Sequence, residues 1–143
     1  MNTAGQAPAI VLIEPRFPHN VGMVLRLASC YGLKQVWFTG DRVRLDSGRR
    51  GKGPALKNYR DVAALQYERP LEQFPRDAVP VAVELRPNFE RLYDFDHPRN
   101  AVYVFGPEDG TVPDRVLRAC HRFVVIPTRH GLNLATACAT VLW

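Results

Sequence analysis

Three stretches of this 143-residue sequence hold more polar and glycine residues than plain turns require, and their side chains suit anion binding and the orientation of a polar reactant. The first is Pro15-Arg-Phe-Pro-His-Asn20-Val-Gly22-Met-Val-Leu-Arg26. A helix starting at Asn20 is expected to carry Asn20 and Arg26 into a similar half of its circumference, where the planar Arg26 guanidinium would hold a phosphate. The plainer alternative is an N-cap asparagine and a solvated arginine. The second is Phe105-Gly106-Pro-Glu108-Asp109-Gly110-Thr-Val-Pro113, in which two glycines permit close backbone approach and two carboxylates sit at the centre. An ordinary strand-to-helix connection needs fewer such residues. The third runs from Ile126-Pro127 through Gly131 and Asn133 to Ala-Cys138-Ala-Thr140, entering a helix whose residues are mostly small. Small side chains there favour close packing against a ligand or a second subunit.

The elements that position these stretches are short. Ala9 to Ile13, Gln35 to Phe38, Val79 to Leu85, Ala101 to Phe105 and Arg122 to Ile126 read as strands. Helices are expected from Asn20 through Cys30 with Gly32 as terminator, weakly from Leu56 to Leu65, from Pro113 to Cys120, and onward from about Asn133. Apolar strands separated by helices rather than hairpin turns imply an α/β domain with an open, mainly parallel sheet covered on both faces. Ligands in such folds bind just beyond the carboxyl ends of the strands, where all three stretches fall.

Composition narrows the class further. A 46% hydrophobic and 23% charged chain is ordinary for a soluble globular domain and excludes disorder and collagen-like repeats. No linker or internal repeat divides residues 1–143, so a single domain is expected. The net charge of +5 is carried mainly by arginine, since Lys34, Lys52 and Lys57 are the only lysines. Between Arg42 and Lys57 the basic residues Arg42, Arg44, Arg49, Arg50, Lys52 and Lys57 face only Asp41 and Asp46. Such a run is either a solvated surface or a grip on an RNA backbone. Its glycines lack the spacing of a phosphate-binding P-loop, and no dinucleotide-binding glycine pattern follows the first strand.

Cys30, Cys120 and Cys138 are expected to be buried free thiols, and the four histidines show no ligand spacing, so no metal is expected. The polar Met1 to Pro8 stretch and the short apolar runs give no leader or membrane span, which makes a cytoplasmic location the expectation. The last helical pattern, Leu132 to Trp143, stops on Val-Leu-Trp without a capping residue. It is expected to be truncated or to be covered by another subunit.

Taken in order, the three stretches resemble the signature motifs of the SPOUT-class RNA methyltransferases, in the SpoU or TrmH-like branch that methylates ribose 2′-hydroxyls. Asn20 with Gly22 and Arg26 resembles the first motif, Phe105-Gly-Pro-Glu108 with Gly110 the second, and Ile126-Pro127 with Leu132-Asn133-Leu134-Ala135 the third. The resemblance implies a C-terminal trefoil knot, S-adenosylmethionine as cofactor, a tRNA or rRNA substrate, and a homodimer whose active site draws on both subunits. It makes Arg26 the catalytic arginine, assisted by Asn20, Glu108 and Asn133. It also assigns cofactor contacts to Val83, Glu84, Leu85, Gly106, Gly110, Ile126, Gly131 and Leu134. Beside Arg26 as a phosphate clamp, the basic run makes Arg42, Arg44, Arg49, Arg50 and Lys52 candidate RNA contacts together with Arg26. A guanidinium with a pKa above about 12 is a poor general base, so Arg26 is expected to clamp the substrate phosphate and orient the hydroxyl.

The sequence departs from the family pattern at Gly131, where many members carry a serine, and in its early C-terminal stop. Those departures keep open a second reading, a non-catalytic RNA-binding or assembly protein on the same fold. A generic nucleotide-binding protein would leave Asn20, Arg26, Glu108 and Asn133 unexplained.

Overall fold

Runs of four or five apolar, often β-branched residues buried on both faces are what a covered parallel sheet demands of its strands. The computed structural model describes residues 5–43 and 61–143. In chain order it has β1 (Ala9–Leu12), α1 (Pro18–Tyr31), β2 (Gln35–Phe38), β3 (Ala63–Gln66), a 3-10 turn (Pro70–Gln73), β4 (Val79–Val83) and β5 (Glu90–Arg91). A second 3-10 turn (Leu92–Asp94), β6 (Ala101–Phe105), α2 (Asp114–Ala119), β7 (Arg122–Val125) and α3 (Leu134–Leu142) follow. Among the described residues the strands form one seven-stranded sheet in the order β3-β2-β1-β6-β4-β7-β5. Every pairing is parallel.

Side-chain alternation along the strands builds two cores. Ile10 and Leu12 join Val36, Phe38, Val81, Tyr103 and Phe105 beneath the apolar stripes of α1 and α3. On the other face Val11, Trp37, Ala82, Val102 and Val104 pack against Val112 and Val116 around α2. Truncating one of these fully buried side chains to alanine costs roughly 2–5 kcal/mol for a Leu or Ile.

The start of α1 differs from the expectation. Phe17, in extended conformation, is the N-cap and Pro18 opens the helix, which makes Asn20 a buried residue of its first turn rather than its cap. Proline lacks the amide that the first helical position leaves unpaired and has the right φ, so it pulls the start forward. Gly32 ends the helix as expected, at φ 78° with its amide on the Ala28 and Ser29 carbonyls.

The weak helix expected from Leu56 to Leu65 falls partly outside the described residues, and its end is replaced by strand β3. Alanine and leucine favour a helix locally, but pairing of Ala63 to Gln66 with Gln35 to Phe38 overrides that preference. Cys120 and Cys138 are buried as expected, and burial pushes both thiols up, Cys120 to about 12. Cys30 is exposed instead, because it lies on the outer side of α1.

Strand β7 lies between β4 and β5, so residues 84–89, which join those two strands, cross the end of β7. The Glu84 amide donates to the Val124 carbonyl at 3.1 Å and fixes the crossing. Among the described residues no helix is long and apolar enough to cross a membrane.

Candidate functional site

Because all strands are parallel, the loops leaving β1, β4, β6 and β7 emerge at one edge of the sheet, and they enclose a cleft of about 470 Å³. Each loop is shaped by a local device. After β6, a Cβ on Gly106 would sit 2.8 Å from the Val112 amide nitrogen and 2.9 Å from the Thr111 carbonyl carbon, so only glycine lets the chain fold back there. Glu84 at the end of β4 accepts that same Val112 amide at 2.9 Å. After β7, the Asn133 side chain caps α3 by accepting the Ala135 and Thr136 amides at 2.9 and 3.2 Å.

Three polar side chains, one from the first turn of α1 and two from the loops after β6 and β7, meet in this cleft. Glu108 Oε1 accepts the Arg16 amide at 2.8 Å, and Oε2 accepts the Phe17 amide at 3.3 Å and Asn20 Nδ2 at 2.8 Å. Asn133 Nδ2 in turn donates to Asn20 Oδ1 at 3.3 Å. Partial burial raises the Glu108 carboxyl pKa, but the hydrogen bonds from Asn20 and from the Arg16 and Phe17 amides outweigh it and hold the group below the usual range. Glu108 is therefore an ionised acceptor whose oxygens are occupied. That arrangement suits the positioning of α1 better than proton transfer.

All the residues expected to contact a cofactor, Val83, Glu84, Leu85, Gly106, Gly110, Ile126, Gly131 and Leu134, line the cleft together with Asn20, Glu108 and Asn133. Gly131 differs from Gly106: a Cβ there would meet nothing within 4 Å. Arg26 is exposed and does not line the cleft. The expected shared orientation with Asn20 fails because six residues of helix turn through a net angle of about 120°, which puts Asn20 inward and Arg26 outward. Arg42 is engaged rather than open: both guanidinium nitrogens reach Asp109 at 3.0 Å, and one also donates to the Glu14 carbonyl at 2.6 Å. Arg44, Arg49, Arg50 and Lys52 lie outside the described residues.

Sequence reasoning gave no contact role to Phe17, His19, Thr128 and Leu132, which also line the cleft. Their signal was that all four lie inside the three stretches. Phe17, Leu85 and Leu132 stay 39%, 44% and 38% exposed, so apolar surface converges on the opening. Among the described residues no group of three or more His, Cys, Asp or Glu side chains could hold a metal ion.

Comparison with known proteins places this geometry. Residues 7–143 match a family model described as the SpoU rRNA Methylase family. A Synechocystis sp. relative named an uncharacterised tRNA/rRNA methyltransferase is 28% identical over 141 residues, which cover 94% of this chain and 51% of that protein. The chain thus spans about half the length of that curated relative. A solved structure described as giving insights into the 2-OH methylation of C/U34 on tRNA is 28% identical, with a TM-score of 0.77 over 93% of this chain and 90% of that one. The SpoU methyltransferase AviRb from Streptomyces viridochromogenes, solved with the cofactor AdoMet, shares the fold at 19% identity and a TM-score of 0.77, over 94% of this chain and 54% of its own.

Proposed function

Since the chain belongs to the SpoU rRNA Methylase family, we propose that it methylates a ribose 2′-hydroxyl of tRNA or rRNA, with S-adenosylmethionine as donor, as a cytoplasmic homodimer whose active sites are shared between subunits. One observation carries this reading: Asn20, Glu108 and Asn133 are wired together inside the cleft, while Arg26 of the same chain points away from it.

The cleft fits the cofactor. Its volume lies within the roughly 300–1,000 Å³ of small-molecule sites, its walls include the half-exposed apolar side chains of Phe17, Leu85 and Leu132, and Gly131 leaves space open. S-adenosylmethionine, when bound, supplies a methyl group already activated by its positive sulfur. The residues of the chain then have to hold and orient. Backbone at Val83 to Leu85, Gly106, Gly110, Ile126, Gly131 and Leu134 would cradle the cofactor. The polar chain fixes the first turn of α1 against the loops after β6 and β7, and Arg26 from a second copy would clamp the phosphate beside the target hydroxyl and orient that hydroxyl.

The exposed face of α1 supports a second copy. Met23, Arg26 and Cys30 fall three and four residues apart on it, and Met23 is 51% exposed. The crossing of residues 84–89 over the end of β7 is compatible with the C-terminal knot, which we include in the proposal.

Gly131 favours a second reading. No side chain stands where the family pattern often supplies a hydroxyl, so the protein would bind cofactor and RNA without turnover. Incubation with tritiated S-adenosylmethionine and bulk tRNA or rRNA separates the two. The proposal expects label in alkali-stable 2′-O-methyl nucleotides. Cofactor binding in calorimetry without any label in RNA would leave the non-catalytic reading standing.

A further inference from the structure

The segment that enters α1 exposes planar side chains in a row at the mouth of the cleft. Phe17 is 39% exposed although it is a large apolar residue, and its ring has two planar neighbours. The Arg16 guanidinium carbon lies 5.1 Å from the ring centroid, and the exposed His19 imidazole lies 5.8 Å away, tilted by 36°. Phe17 and His19 both line the cleft.

This lip is rigid. Glu108 accepts the amides of both Arg16 and Phe17, and Pro18 fixes the next backbone angle. The Arg16 guanidinium is drawn to Asp109 at 3.6 Å, and Asp109 is itself gripped by the two-pronged Arg42 contact. The Arg42 fork holds the Asp109 carboxyl below its usual range, so the anchor stays charged at neutral pH. A buried aromatic would need no such scaffold.

We propose that Arg16, Phe17 and His19 form a stacking platform for an unpaired nucleobase of the RNA substrate, beside the cleft in which its ribose is modified. Single-stranded RNA is recognised by bases splayed onto aromatic rings and guanidinium planes, and every base offers a face to such a surface. An exposed aromatic-cationic row fixed in advance loses little side-chain freedom when a base settles on it. Of the possible occupants, RNA fits best: the arginine complements the backbone charge, and the platform is continuous with the cleft. The inference rests on the RNA-modifying reading above, and it names the part of the substrate that reading leaves open.

The test measures binding rather than methyl transfer. Fluorescence anisotropy compares the wild-type protein with Phe17→Ala, Phe17→Trp and Arg16→Ala on two probes, labelled oligouridylate and the same ribose-phosphate backbone carrying abasic sites. Phe17→Ala is expected to weaken oligouridylate binding about 5- to 150-fold, the range of one stacked base. Phe17→Trp is expected to keep it, Arg16→Ala to lose less than Phe17→Ala, and the abasic probe to bind wild type and Phe17→Ala alike. Circular dichroism and thermal unfolding confirm that each variant is folded. If Phe17→Ala binds oligouridylate as wild type does, or loses as much on the abasic probe, the platform is refuted while the RNA reading stands. If the wild type binds neither these probes nor a tRNA transcript, the RNA reading itself falls and the platform with it.

Discussion

Asn20 and Arg26 sit six residues apart on one helix, yet the molecule treats them in opposite ways. Asn20 is buried and satisfied at both ends of its amide by Glu108 and Asn133. Arg26 is exposed, away from the cleft that Asn20 lines. The first arrangement ties α1 to the loops after β6 and β7 within one chain, and in the proposed dimer the second serves the cleft of the partner subunit. Substitutions at the two places should therefore fail in different currencies, stability for one and activity for the other.

The largest contrast is expected at Arg26. Arg26→Ala should lower methyl transfer by at least about 100-fold, as for other removed electrostatic contacts to a reacting centre, while unfolding free energy changes by less than about 0.5 kcal/mol. A destabilised variant with proportionally reduced activity would erase the contrast. Glu108→Ala should do the reverse first, losing about 1.5–3 kcal/mol in urea unfolding because two backbone amides and the Asn20 amide lose a charged acceptor.

The two glycines of the cleft sharpen the comparison further. Gly106→Ala should cost about 1–3 kcal/mol, because its Cβ would strike the Val112 backbone. Gly131→Ser should change stability by less than about 0.5 kcal/mol, because that site is open. Equal costs at both positions, measured by thermal unfolding, would contradict the geometry.

A smaller effect follows from pH. The Glu108 carboxyl titrates below its ordinary value in the folded chain, so its contribution is complete above about pH 4.3, the value in unfolded chains, and is lost as pH falls through the lower folded value. Glu108→Gln should flatten the decline of stability on acidification across that window. An unchanged acid slope would show that the carboxylate is not held as described.

Much of this was legible in the sequence, and the gaps have physical causes. Gln35 to Phe38 and Ala101 to Phe105 were read with their observed bounds because continuous apolar runs admit few alternatives. The strand Ala63–Gln66 was not, since its alanines become a strand only through pairing with β2. The two-residue β5 is too short to carry a pattern. Glycine and polar punctuation marked the loops that hold Glu108 and Asn133, and the family resemblance singled out the two residues, but Asn20 was misread as a cap because Pro18 had already started the helix. The Arg42–Asp109 fork joins residues 67 apart in sequence, and the backbone that presents Arg16 and Phe17 is held by Glu108, which is still more distant along the chain.

The shared active site is the central claim, and subunit complementation tests it most directly. Arg26→Ala is mixed with Gly131→Trp, which blocks the open part of the cleft, and the two inactive proteins are unfolded, combined and refolded together. If Arg26 serves the cleft of its partner, random pairing should restore about one quarter of wild-type methyl transfer, because half the dimers carry one intact site of two. No recovery from the mixture, with dimers verified by light scattering, would contradict the account and return Arg26 to its own chain.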